Sequence, residues 1–192
     1  MNWHIVLAAL SVVLEVASLV PYLRSMARGD TRPNAVSFGL WTALQAIAFT
    51  AQAAAGASWS LIVVGVLTGS TLLITILALT GAGYRKYGVV DAACLAFAIV
   101  AIAAWQATGD PVAAIVFAIA GDICAIVPTL VKTYREPHTE HAGAWGLVTL
   151  STLLGALSTE KIDAANLAFP IYLTIGNGLI FALAYFGQKR TE

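Results

Sequence analysis

Two carboxylic acids stand in stretches that are otherwise apolar. Glu15 lies six residues before Pro21, and Asp122 lies six residues before Pro128. A carboxylate at mid-bilayer costs about 2.5–3.5 kcal/mol on insertion scales. No Lys or Arg lies within either run to offset that cost. An acid in that setting favours its protonated form and exchanges a proton when water reaches it. The chemistry this offers is proton coupling, or recognition of a cationic or hydroxyl-rich solute. The plainer alternative is a protonated acid that hydrogen-bonds a neighbouring helix.

Other side chains offer binding rather than proton transfer. Asn177 sits between Gly176 and Gly178 in an apolar run, and its amide has two donors and two acceptor lone pairs for hydroxyls or a carboxylate. Thr71 and its neighbour Ser70 occupy a similar place earlier in the chain. Trp41 and Gln45 are four residues apart, so on a helix they share a face that would suit a sugar ring. Trp145 is weighed both as a solute contact and as a boundary aromatic. Each of these also has a structural alternative, namely interhelical hydrogen bonds worth about 0.6 kcal/mol on average. Asp91 is expected to cap a helix start rather than to act on a ligand. His138 and His141, beside Glu136 and Glu140, are expected to be solvated loop residues rather than metal ligands.

The elements that must position these residues are copies of one another. At a fixed shift of 107, Glu15 meets Asp122 and Phe38 meets Trp145. Around them Val20/Val127, Pro21/Pro128, Leu23/Leu130, Arg28/Arg135, Ala35/Ala142, Gly39/Gly146, Leu40/Leu147 and Thr42/Thr149 are identical. Further on the shift becomes 106, aligning Leu67-Thr68 with Leu173-Thr174 and Thr71 with Asn177. In a chain of membrane character, such a repeat points to a site between two halves. Pro21 and Pro128 each remove a backbone hydrogen bond, freeing the carbonyls of Ala17 and Cys124. They are read as hinges of an inner gate, the plainer alternative being a static kink or a helix terminus.

Composition sets the solvent. The 192 residues are 59% hydrophobic and 10% charged, with a mean hydropathy of +0.84. A soluble domain carries about 25% charged residues, so most of this chain faces lipid. The zero formal charge gives no sign of nucleic acid. Cys94 and Cys124 lie in apolar runs and read as small core residues. No metal-ligand or P-loop spacing is present, and no cofactor is implied. The first apolar run lacks a basic leader and carries Glu15, so it is expected to be a span.

Seven runs are long enough for spanning helices: about 4–23, 35–55, 59–81, 88–107, 111–131, 142–158 and 164–187. The expected fold is all-α, with seven transmembrane helices. Two parallel three-helix repeats, 1–83 and 109–192, are joined by a linker helix within 84–108. Three spans is an odd number, so one extra span restores a common orientation. Arg24, Arg28, Arg32, Arg85, Lys86, Lys132, Arg135, Lys189 and Arg190 fall on one side, and only Lys161 on the other. The positive-inside rule places the N-terminus outside and the C-terminus in the cytoplasm, in the plasma (inner) membrane. Trp3, Trp59 and Trp105 are expected in an outer aromatic belt, and Tyr22, Tyr84, Tyr87 and Tyr134 in an inner one.

The chain resembles the PQ-loop and SWEET superfamily, built as three plus one plus three helices. The resemblance is carried by Val20-Pro21-Tyr22-Leu23 and Val127-Pro128-Thr129-Leu130, each followed by a short basic loop and Gly-Leu in the next span. Tyr22 and Thr129 stand where the signature has glutamine, and spans two and six lack the prolines of many sugar-carrying members. The resemblance implies alternating-access transport of a small polar solute, a sugar or amino acid, and an amide in the third helix of a repeat as a solute ligand. Asn177 matches that amide. Some similar proteins move vitamin precursors and others are receptors. An enzyme is not expected, because no span combines a nucleophile with a base. A retinal protein would need a lysine inside a span. The expected partners are the lipid bilayer, the solute and a second copy of the chain within the membrane.

Overall fold

A computed structural model describes the backbone of residues 3–54, 59–108, 111–158 and 164–190. Side chains are described over the same stretches except 47–54, 59–64, 98, 101, 102, 104–106, 108, 111–118 and 164–170. The side chains of Gln52, Trp59, Trp105 and Pro170, and the whole of Lys161, lie outside the described residues.

The described chain is helical, with no strand among the described residues. The helices are α1 (Trp3–Arg28), α2 (Ala35–Ala54), α3 (Trp59–Leu77), α4 (Val89–Thr108), α5 (Pro111–Arg135), α6 (Ala142–Leu157) and α7 (Ala164–Gln188). A wide π-type turn, Ala78–Ala82, continues α3, and a 3-10 turn, Pro137–Thr139, precedes α6. Among the described residues, three helices are long and apolar enough to cross a membrane: Trp3–Arg28, Gly65–Ala82 and Ile171–Gln188. Their outward residues agree with that. Val13 is 61% exposed, Ile175 59% and Phe186 58%, an apolar surface that water tolerates poorly and lipid does not penalise. These features are those of an integral membrane protein.

Local chemistry sets the helix ends. α1 closes in a Schellman motif: the Gly29 amide donates to the Met26 carbonyl (2.9 Å) and the Asp30 amide to the Ser25 carbonyl (3.1 Å). Gly29 has φ +80°, which a side chain would strain. Asn34 caps α2, its Oδ1 accepting from the Val36 amide at 2.9 Å. Its Nδ2 donates to Asp91 Oδ1 at 2.7 Å, while the Gly88 amide donates to Asp91 Oδ2 at 2.8 Å. Asp91 therefore caps α4 and ties it to the start of α2. His141 caps α6, its Nδ1 accepting from the Ala144 amide at 3.0 Å. α1 and α5 run unbroken through Pro21 and Pro128, so neither proline ends its helix.

The chain forms two compact units. One holds residues 1–31 and 132–192, and the other residues 32–131. The first thus joins α1 to α6 and α7, with the last turn of α5. The second holds α2, α3, α4 and most of α5. In the first, α6 packs against both α1 and α7 around Ala144, Trp145, Ile180 and Ala184. In the second, α2 packs on α3 around Phe38, Leu40, Trp41 and Ile74. The units cut across the chain order of the sequence copies.

The aromatic belt needs correction. Trp3 (57%), Tyr87 (49%) and Tyr134 (75%) are exposed as a belt requires, but Tyr22 (5%) and Tyr84 (7%) are buried. Tyr22 is buried because its hydroxyl donates a hydrogen bond to a buried acid. Lys132, counted among the loop cations, is also buried, at 2% exposure.

Candidate functional site

The acids come first. Glu15, half-buried on α1, lies near the Ser151 side chain of α6. Ser11, one turn earlier on α1, locks the same place. Its hydroxyl donates to the Ser151 carbonyl at 2.8 Å, and the Ser151 hydroxyl donates to the Ser11 carbonyl at 2.8 Å. Gly155, one turn on from Ser151, lets the helices close: a Cβ there would stand 3.4 Å from Ser11 Oγ. Ser151 has one hydroxyl proton. A protonated Glu15 can donate to Ser151 and leave the bond to Ser11 intact. An ionised Glu15 must compete for that proton.

Ser11, Glu15, Ser18, Tyr22 and Ser25 follow one face of α1 at helical spacing. At the shift of 107 they meet Ala118, Asp122, Ala125, Thr129 and Lys132 on α5. Asp122 (4%), Ala125 (0%), Thr129 (0%) and Lys132 (2%) are buried. Asp122 is thus turned inward, as Glu15 is turned toward α6.

The binding candidates divide between the units. Asp122, Trp41, Gln45, Ser70 and Thr71 belong to one, and Glu15, Trp145 and Asn177 to the other. Thr71 Oγ1 donates to Gln45 Oε1 at 2.9 Å, joining α3 to α2. Ser70 Oγ donates to the Val66 carbonyl of its own helix at 2.8 Å. Trp41 is buried edge-on to Phe38, with ring centroids 5.0 Å apart. Gln45 is brought to Thr71, and these four read as a packed polar seam. Asn177 differs. It is half-buried on α7, and its side chain makes no hydrogen bond with the described residues. Gly178 next to it packs on Thr149, whose methyl would lie 3.5 Å from an added Cβ.

A further cluster lies at the other end of the α1–α6 contact. The carboxylate of Glu140, just before α6, is fully buried. It accepts from Trp145 Nε1 at 2.8 Å and from the Tyr22 hydroxyl at 3.1 Å, and it pairs with the Lys132 ammonium. Gln188 Nε2 donates to the carbonyls of Pro137 (3.0 Å) and Glu140 (2.8 Å). Trp145 thus spends its indole N–H on Glu140. A cavity of about 450 Å³ adjoins the cluster, lined in part by Ser25, Arg28, His138 and His141. Arg28 there pairs with Asp30 at 2.8 Å in an exposed bridge worth about 1 kcal/mol at most. Among the described residues, no three His, Cys, Asp or Glu side chains gather as a metal set.

Sequence reasoning singled out neither Ser11 nor Ser151, and it gave Glu140 and Lys132 only loop roles. The polar stripe on α1 was a readable signal for Ser11. Nothing local distinguishes Glu140 from Glu136, because only the fold buries one of them. Compared with family models, with curated proteins and with solved structures, the chain matches none.

Proposed function

We propose that the chain is a membrane transporter for a small polar solute, a sugar or amino acid, working by alternating access and coupled to protons through Glu15 and Asp122. The observation that carries this is the inward placement of both acids. Asp122 is buried on α5 and Glu15 is half-buried on α1 toward α6, at equivalent positions 107 residues apart on long apolar helices. A lipid-facing acid would have no transport role, and a purely structural acid would not require a matched pair.

Seven spans in two parallel repeats form the framework of this reading. Several features support it. α1 and α5 end at Arg28 and Arg135, and Asn34 and His141 cap α2 and α6, all at the shift of 107. One compact unit takes its first helix from one copy and its next two from the other, and the second unit does the converse. The uncommitted amide of Asn177 supplies a solute ligand, and the absence of basic residues from the spans favours a neutral or cationic solute over an anion.

The test is a thermal-shift screen on purified protein across sugars, amino acids and vitamin precursors, at two pH values. A true solute raises apparent stability by mass action. The expected result is a hit abolished by Asn177→Ala, with accumulation of the labelled solute in sealed proteoliposomes. Binding without accumulation would make the chain a receptor and refute transport.

A further inference from the structure

Glu140 is the centre of a device that the proposed transport site does not use. Three ties fasten the turn that carries it. Lys132 pairs with its carboxylate from α5, Trp145 donates to it from α6, and Gln188 of α7 holds the Pro137 and Glu140 carbonyls. Gly187 lets α7 come close enough for this, since a Cβ there would stand 2.5 Å from Pro137 Cβ. The tie from α1 is of another kind. It is a neutral phenol, Tyr22, donating at 3.1 Å. Tyr22 immediately follows Pro21, where α1 lacks the backbone bond to the Ala17 carbonyl. The segment beyond Pro21 is thus the part of α1 best able to swing, and Tyr22 is its first residue. Above it Ser18, buried at 3% exposure, and Glu15 continue the same face.

We infer that Tyr22 and Glu140 form a latch that closes the inner end of the α1–α6 contact, with Pro21 as its hinge. Glu140, Lys132, Trp145 and Gln188 are the fixed keeper, and the Tyr22 phenol is the moving catch. Releasing the catch lets the end of α1 part from α6 and admits water along the polar face toward Ser18 and Glu15. The latch belongs to one compact unit only. At the shift of 107, Thr129 stands where Tyr22 would and Pro33 where Glu140 would, so the other unit has neither phenol nor acid at these places. The purpose of the latch rests on the transport reading, but its geometry does not.

The experiment uses full-length protein in detergent with Cys94 and Cys124 changed to Ala. Ser18→Cys reports opening, and Ala156→Cys, buried at the far end of α6, reports general loosening. Both are labelled with a water-soluble thiol reagent. Tyr22→Phe removes the catch and keeps the ring. The double change Lys132→Met with Glu140→Gln removes both charges together and spares the fold an unpaired buried ion. Tyr22→Phe loses a hydrogen bond to a charged acceptor and should raise Ser18→Cys labelling about tenfold; the double variant leaves Tyr22 a weaker, neutral acceptor and should raise it less, with Ala156→Cys unchanged in both. Such a rise in either variant supports the latch. No rise in both, or an equal rise at Ala156→Cys, overturns it and leaves Glu140 as part of the static core. Uptake is read separately: a protein that opens in Tyr22→Phe yet moves no solute keeps the latch and loses the transport reading.

Discussion

Glu140 and Lys132 form a buried ion pair whose energetics can be worked from the structure. Their side chains are 0% and 1% exposed, so neither charge reaches water. Glu140→Gln leaves the Lys132 ammonium buried without its counter-ion, and Lys132→Met leaves the Glu140 carboxylate with only the neutral donors of Tyr22 and Trp145. Breaking a buried pair from one side costs about 3–5 kcal/mol. Removing both charges together is far cheaper. The desolvation cost of both ions disappears, and the amide oxygen introduced by Glu140→Gln still accepts from Tyr22 and Trp145. The double variant should therefore lie within about 1 kcal/mol of the parent. Reversible unfolding in mixed micelles, followed by far-ultraviolet circular dichroism, gives the four corners of the cycle. Two single losses of that size and a near-neutral double variant imply a coupling of about 5 kcal/mol or more. It should persist at high salt, since screening acts weakly on charges removed from water. Additive single losses, with coupling under about 0.5 kcal/mol, would refute the reasoning and mean that solvent reaches the pair.

The acids and the close approach at the end of α7 supply the remaining tests. In proteoliposomes, Glu15→Gln and Asp122→Asn should each abolish uptake driven by a proton gradient while leaving passive exchange of solute. An unchanged pH dependence in both variants rules out their coupling role. Gly187→Ala should cost about 1–3 kcal/mol, because its Cβ would lie 2.5 Å from Pro137 Cβ. Gly69→Ala, with no atom within 4 Å of the added Cβ, should be neutral or stabilising by up to about 1 kcal/mol in the same unfolding assay.

Much of the fold was legible because hydropathy and helix-end chemistry are local. The apolar runs 4–23 and 142–158 form the helices α1 and α6 to within a turn or so, and of these two α1 is long enough to cross a membrane. Asp91 capped its helix as its place in the first turn required. Polar partners were less legible. Trp41 and Gln45 share a helix face, but Gln45 answers Thr71 on the next helix, a pairing that no spacing within α2 encodes.

The sequence by itself determined the solvent, the helices, the pair of anomalous acids and their spacing, because each of these is written in composition or in a period along one chain. Tertiary structure alone decided which polar groups meet. It buried Tyr22 against α6, buried Glu140 and Lys132 together, set Ser151 near Glu15 and gave Asn177 no side-chain hydrogen bond among the described residues. The physical reason is that a buried polar group is tolerable only with a partner, and that partner stands 118 residues away for Tyr22.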